Sequence, residues 1–220
     1  MSTKSSLHGS LAGTTKAAAL VAVSLGIILA LPQLHSEERS LDRFSLAVQQ
    51  SGIPSIAHLT VKPFEVNGET AEEIRAELNA KGPLDVQRYH RDAFTRWYVK
   101  WRWNFSAQGK ADIKSTQVSY QISLHLPKWT PSDGTSQALI TQWDRFFANL
   151  LKHERRHIDF VLEHYEAVSE NIRKAAQQSP DLTAAEANAI GEEVLARIRS
   201  LDAHYDKVSA HGKNEGVLFP

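Results

Sequence analysis

Two stretches of the chain alternate apolar and polar residues, the period of two that is typical of a β-strand with one buried face. They cover residues 96–105 and 118–126, with a short turn between them, so we expect an antiparallel pair. The apolar positions of the first stretch are Trp97, Val99, Trp101, Trp103 and Phe105. An earlier strand is predicted at residues 61–66. The capping-box pattern of Thr70 and Glu73 then predicts a short helix.

Helical spacing follows the strands. Apolar residues recur at intervals of three and four from about residue 136 to 177, which predicts one long helix. Pro180 ends this helix, because proline cannot continue it. A second long helix is predicted to begin where Thr183 and Glu186 again form a capping-box pattern.

These elements predict an α+β fold with a small antiparallel sheet, one short helix and a long antiparallel helix pair. We divide the chain into an N-terminal signal or anchor segment (1–36), a linker (37–58), the domain proper (59–212) and a tail (213–220) that we expect to be frayed. A length of 220 residues suits one such domain with an appendage.

The N-terminal segment has the layout of an export signal. Lys4 and Lys16 are the only charged residues before Glu37, and residues 17–31 are apolar or small until Pro32 ends the run. As a helix, this run is roughly 22 Å long, which is short for a bilayer core of about 30 Å. A cleaved signal peptide and an uncleaved membrane anchor both stay open. Either predicts a periplasmic or secreted domain, and the anchor would attach it to the inner membrane through residues 17–31.

Composition limits the chemistry. Lys and Arg together number 25, as do Asp and Glu, so the global charge gives no reason to expect a nucleic-acid partner. Cysteine is absent, which excludes disulfides, thiolate metal sites, iron–sulfur clusters and cysteine nucleophiles. A metal ion would need His, Asp or Glu as ligands, and the chain contains ten histidines.

The segment His153-Glu154-Arg155-Arg156-His157 lies inside the first long predicted helix. Two histidines four residues apart share one helix face, about 6 Å apart along the axis, and can reach one Zn²⁺. Glu154 would then take a proton from the water that the metal activates. His164 lies on the same face but about 10.5 Å beyond His157, so we interpret it as structural. The competing interpretation of the motif is a solvated, charged helix turn.

A catalytic zinc needs a third protein ligand and leaves its fourth position for water. If the two long helices form an antiparallel hairpin, equal rise per residue brings position 205 level with position 155. The segment that reaches the metal motif is then 201–211. It contains three candidate ligands, His204, Asp206 and His211.

The order of these motifs resembles a known bacterial family. The resemblance covers about residues 60 to 212 and rests on Phe64-x-Val66-x-Gly68-x-Thr70-x-x-Glu73-Ile74, Gly82-Pro83, the Trp-rich strand, Trp143 before the metal motif, and Tyr205-Asp206-x-x-Ser209-x-His211-Gly212. The sequence looks like the predicted secreted zinc-dependent proteases, family 922 of the domains of unknown function. Ser209 stands where that pattern has Thr. The resemblance implies His153, His157 and His211 as metal ligands and Glu154 as the catalytic acid.

The sequence therefore predicts an extracytoplasmic zinc metallopeptidase that acts on a peptide or protein substrate. Zn²⁺ would be held by His153, His157 and His211, and Glu154 would pass the water proton to the leaving amine. Tyr205 would donate a hydrogen bond to the developing oxyanion.

Two other functions stay open at this point. One is a non-catalytic envelope binding or scaffold protein, in which a fourth protein ligand would close the zinc site. The other is an amidase that acts on cell-wall peptides with the same machinery. In the peptidase, Asp206 or Asp159 would orient a ligand histidine.

Overall fold

The computed structural model describes residues 43–85 and 88–220, and it has an α+β fold with a three-stranded sheet and several helices. The signal or anchor predicted at residues 1–36 lies outside the described residues. Within the described ranges, no helix combines the length and the apolar character that crossing a bilayer requires.

The strands are β1 (Leu59–Val66), β2 (Phe94–Phe105) and β3 (Ala111–Trp129). The helices are α1 (43–50), α2 (Ala71–Lys81), α3 (Gln137–His164), α4 (Ala167–Gln178) and α5 (Ala184–Ser209). Two short 3₁₀ turns lie at Ile53–Ser55 and Lys213–Glu215.

The sheet has the order β1-β3-β2. The predicted antiparallel pairing of β2 with β3 is confirmed, with Trp97 opposite Ile122 and Trp101 opposite Val118. The prediction of a wholly antiparallel sheet is wrong, because β1 runs parallel to β3. A parallel pair needs a long connection between its strands, and here α2 and β2 lie between β1 and β3 along the chain.

Both predicted capping boxes are present. At the start of α2, Thr70 Oγ1 accepts a hydrogen bond from the Glu73 backbone N–H at 3.2 Å, and the Glu73 carboxylate accepts one from the Thr70 backbone N–H at 3.3 Å. Thr183 and Glu186 repeat this arrangement at the start of α5. These reciprocal bonds satisfy otherwise unpaired N–H groups, so the sequence sets both starting points locally.

The single helix predicted from about residue 136 to 177 is instead two helices. α3 and α4 are separated at Tyr165 and Glu166, which keep helical backbone angles. His164 Nδ1 lies 2.9 Å from the carbonyl oxygen of Phe160, and Tyr165 packs edge-on against Tyr120 of β3 at 4.7 Å. The break lets α4 lie against β3 while α3 contacts β2.

The core also includes segments predicted to lie outside it. Val48 of α1 and Ile53, both in the predicted linker, are buried. Val217 and Phe219, in the segment expected to be frayed, are buried as well. The C-terminal segment therefore packs against the rest of the domain.

Candidate metal centre

Two imidazoles and one carboxylate converge between α3 and α5. His153 Nε2 and His157 Nε2 are 3.3 Å apart, and Asp206 Oδ1 lies 3.4 Å from the first and 3.2 Å from the second. In the described part of the chain, the candidate ligand atoms of these three residues all lie within 4.8 Å of one another. They can therefore surround a single metal ion.

The local sequence explains this convergence. His153 and His157 are four residues apart on α3, so their side chains project from the same face. That face is the buried one, as Leu150 and Val161 show. On α5, Asp206 meets His153, and Asp202, one turn earlier, meets His157.

Each histidine is oriented by a second carboxylate. His153 Nδ1 lies 2.9 Å from Glu215 Oε2, and His157 Nδ1 lies 3.1 Å from Asp202 Oδ1. The indole N–H of Trp97, on β2, donates to Asp202 Oδ2 at 2.9 Å. A carboxylate that accepts the Nδ1 proton leaves the Nε2 lone pair free for a metal, which is the usual arrangement of metal-binding histidines.

Glu154 lies in the same helix turn and is buried. Its Oε2 accepts a hydrogen bond from Thr95 Oγ1 of β2 at 2.6 Å. Burial raises the pKa of the Glu154 carboxyl above its ordinary value, although His157, the Thr95 hydrogen bond and His153 oppose this rise. A carboxylate with a raised pKa is a stronger base than an exposed one.

The group favours positive charge at its centre. Burial disfavours the imidazolium form of His157, but hydrogen bonds with Asp202 and Asp206 outweigh it and raise its pKa to about 10. Burial likewise opposes ionisation of Asp206, yet its bonds to His153 and His157 hold its pKa well below the ordinary value. A proton or a metal cation bound between these side chains supplies this positive charge.

Tyr205, expected to donate to an oxyanion, makes other contacts. Its ring stacks on the ring of His153, with centroids 4.9 Å apart and an interplanar angle of 22°. Its hydroxyl donates to Glu215, 2.8 Å from each carboxylate oxygen. Burial and Glu215 raise the pKa of the phenol. Tyr205 thus contacts both His153, a candidate ligand, and Glu215, the carboxylate that orients it.

The structure does not bring His211, the expected third ligand, into the group. α5 ends at Ser209, and positive φ values of 51° and 54° at Ala210 and His211 turn the chain away from the helix. His211 Nδ1 lies 3.5 Å from Asp206 Oδ2, and its side chain is 49% exposed. Asp206, an alternative ligand from the sequence, joins the two imidazoles instead, because it precedes this turn. His204 is exposed and outside the group.

Sequence reasoning missed Asp202, Glu215, Thr95 and Trp97 as site residues. Asp202 and Asp206 repeat the i, i+4 spacing of the two histidines, a signal that could have identified both. Glu215 carries no such signal, since it follows the end of α5. Asp159, expected to orient a ligand, instead pairs with Arg155 at 2.7 Å. His164, interpreted from the sequence as structural, lies outside the group, and its Nδ1 is 2.9 Å from the carbonyl oxygen of Phe160.

Fold and site together define a small α+β protein with a candidate His-His-Asp metal centre. Residues 61–212 match the family described as bacterial protein of unknown function (DUF922), and the chain belongs to this family. The matched span runs from β1 to just beyond α5, so it contains the three candidate ligands but not Glu215. Comparisons with curated proteins and with solved structures find no match.

Proposed function

We propose that this protein is a zinc-dependent metallopeptidase that hydrolyses peptide bonds outside the cytoplasm. The observation that carries the proposal is the convergence of His153, His157 and Asp206 with a buried carboxylate, Glu154, beside them. This set combines ligands for a metal ion with an adjacent base, and His153, Glu154 and His157 lie within five residues of α3.

The donor set fits zinc. Two imidazoles and one carboxylate are a ligand set of catalytic zinc sites, which leave a further position open. The orientation of both imidazoles by Glu215 and Asp202 also suits a metal, because it directs each Nε2 inward. When bound, zinc would supply a Lewis acid that polarises a carbonyl and acidifies water. The same donors also suit Fe(II), so metal analysis is part of the test.

Glu154 is the proposed general base. It accepts the proton of the attacking water and later delivers it to the leaving amine, so it ends the cycle ionised as it began. Its raised pKa favours both steps. Thr95 fixes one carboxylate oxygen and thereby restricts the rotation of the side chain. Tyr205 and Glu215 keep His153 in place rather than contacting substrate.

The position of β2 supports a peptide as the substrate. β2 is an edge strand, paired only with β3 in the described sheet. It also carries Thr95, the partner of Glu154. An extended peptide that adds to this edge through backbone hydrogen bonds would lie next to Glu154, and strand addition is a common mode of peptide recognition.

An extracytoplasmic location rests on the sequence of residues 1–36. Fractionation of cells that express the full chain, with N-terminal sequencing of the product, would test it. We expect the protein in the periplasm, the medium or the inner-membrane fraction. Recovery in the cytoplasm would contradict this part of the proposal.

The central experiment compares wild type with Glu154→Gln and Glu163→Gln. Glu163 is on the same helix but is exposed and paired with Arg156, so its variant is a matched control. We expect all three proteins to bind zinc, and only Glu154→Gln to lose hydrolysis of unstructured protein substrates. Full activity in Glu154→Gln would refute the proposed base. Absence of zinc from the wild type would refute the metal assignment.

The position of His211 favours a second candidate function, a non-catalytic protein with a structural zinc site. Its Nδ1 is close enough to Asp206 for a side-chain rotation to bring a fourth donor to the group. A closed, four-ligand site is structural. X-ray absorption spectroscopy of the zinc-loaded protein distinguishes the two: three protein ligands plus water support the peptidase, and four protein ligands support the structural site.

A further inference from the structure

The outer face of the sheet presents uncompensated positive charge. The even-numbered residues of β2 lie on the same sheet face as the polar residues of β3 with which they pair. Lys62 of β1 lies on this face as well, because it pairs with His125 of β3. We use the name cationic sheet face for four exposed side chains, Lys62, Arg96, Lys100 and Arg102.

In the described sheet, no carboxylate lies directly opposite any of these cations. β2 contains neither Asp nor Glu, and the β3 residues opposite its cations are Gln117, Ser119 and Ser123. Within the described ranges none of the four cations makes an ion pair with a carboxylate; Arg102 bonds only to the amide of Gln117. Burial together with Lys62 and Arg96 lowers the pKa of His125, as expected where positive charge is unopposed.

The charges form a broad array. Along β2, the distance from Arg96 to Arg102 is about 20 Å at the rise of an extended strand. Lys62 lies two strands away, across β3, so the charges also spread across the sheet. An exposed aromatic ring accompanies them, because Tyr98 lies between Arg96 and Lys100 on the same face of β2. Aromatic and basic side chains together are typical of surfaces that meet a membrane interface.

We propose that the cationic sheet face binds the anionic surface of a phospholipid bilayer. Charge complementarity selects an anionic partner, and the two-dimensional spread fits a plane of headgroups better than the single track of a nucleic-acid backbone. The apolar run at residues 17–31 is a second potential membrane contact in the same chain. About 12 residues separate it from Arg43, a length that spans at most roughly 40 Å. The proposal is independent of the peptidase assignment.

The test measures binding of the full chain to vesicles of phosphatidylcholine alone and to vesicles that also contain phosphatidylglycerol. Because residues 17–31 can bind both kinds, the readout is the ratio of the two partition coefficients. The face variant replaces four cations by glutamine, at Lys62, Arg96, Lys100 and Arg102. A control variant with the same change in net charge replaces helix-borne cations, at Arg145, Lys174, Arg197 and Arg199.

We expect the wild type to prefer anionic vesicles at low salt and to lose this preference at high salt. The ratio should fall roughly fivefold for each cation removed from the face, with a much smaller decrease in the control. Equal decreases in both variants, or no preference in the wild type, would overturn the proposal. So would binding of a single-stranded oligonucleotide that needs the same four cations while the vesicle ratio does not. All eight side chains are exposed, so both variants should fold, as circular dichroism can verify.

Discussion

The imidazole of His153 is held by Glu215, a residue 62 positions further along the chain, with Nδ1 2.9 Å from Oε2. Glu215 lies in the 3₁₀ turn Lys213–Glu215, beyond the end of α5. The same carboxylate accepts the hydroxyl of Tyr205, whose ring stacks on His153. The C-terminal segment thus completes the surroundings of a candidate metal ligand from outside the matched family span.

Glu215→Gln should weaken zinc binding. The substitution keeps the shape of the side chain but removes the charge that fixes the Nδ1 proton of His153. Loss of such an orienting group typically costs about 10- to 100-fold in metal affinity. Competition titration against a chromogenic zinc chelator measures the effect.

Glu193→Gln is the control for this experiment, because Glu193 is exposed on α5 and its substitution makes the same chemical change. We expect its zinc affinity to equal that of the wild type. An unchanged affinity in Glu215→Gln would show that His153 does not depend on this carboxylate.

Asp206→Asn and His211→Ala together identify the third ligand. Asp206 Oδ1 lies within 3.4 Å of both imidazole Nε2 atoms, whereas His211 is half exposed beyond the turn. Asp206→Asn should therefore reduce zinc affinity by more than the roughly 100-fold upper range of an orienting residue. His211→Ala should leave it within a few-fold of wild type. The reverse order would make His211 the ligand, as the family resemblance implies.

Much of the fold follows from local signals in the sequence. The alternation of residues 96–105 and 118–126 predicts β2 and β3 and their antiparallel pairing, which the register confirms. Thr70 and Thr183, each with Glu three residues later, mark the starts of α2 and α5. These patterns are readable because each depends on neighbours within a few residues.

Other features depend on tertiary contacts that leave no local pattern. The break between α3 and α4 involves no Pro or Gly; it accompanies the packing of Tyr165 on Tyr120, more than forty residues away. The place of β1 beside β3 could not be predicted from local sequence, because it depends on the path of the chain that connects the two strands.

The residues of the candidate site also fall into those that local spacing predicts and those that depend on tertiary contacts. The helix spacing of His153 and His157 and the rise of an antiparallel helix predict residues 201–211 as the facing segment, and Asp206 of this segment lies beside His153. The choice between Asp206 and His211 could not follow from spacing, because it depends on the left-handed turn at Ala210. Glu215 could not be predicted, because nothing in its neighbourhood indicates that the tail folds back.

Without bound metal, the protein should lose stability as the pH rises. The folded pKa of His157 is about 10, above the ordinary 6.5, so its contribution is fully present below about pH 6.5 and is lost as the pH approaches 10. At 1.36 kcal/mol per pKa unit, the rise from 6.5 to about 10 corresponds to a loss of roughly 5 kcal/mol at most. The raised pKa of Glu154 acts in the same direction.

Thermal denaturation with a chelator, at pH values between 6.5 and 10, measures this loss. His157→Gln should flatten the dependence, because it removes the titrating group. With saturating zinc the slope should reverse, because metal and proton compete for the same imidazoles. A chelated wild type whose stability rises over this range would contradict the raised pKa of His157.

Phe219→Ala should affect both stability and the metal site. Phe219 is 5% exposed and packs on Trp143 and Phe146, with ring centroids 5.5 and 5.3 Å away. Truncation of a buried Phe typically costs about 3–5 kcal/mol. Since Glu215 lies only four residues earlier, release of Phe219 should also free Glu215 from His153 and weaken zinc binding.

Leu218→Ala is the control, because Leu218 is 61% exposed and its loss should change the free energy of unfolding by about 0.5 kcal/mol or less. Urea denaturation and zinc titration of both variants measure the two effects. Lower stability in Phe219→Ala with unchanged zinc affinity would show that Glu215 holds its position without the anchored tail.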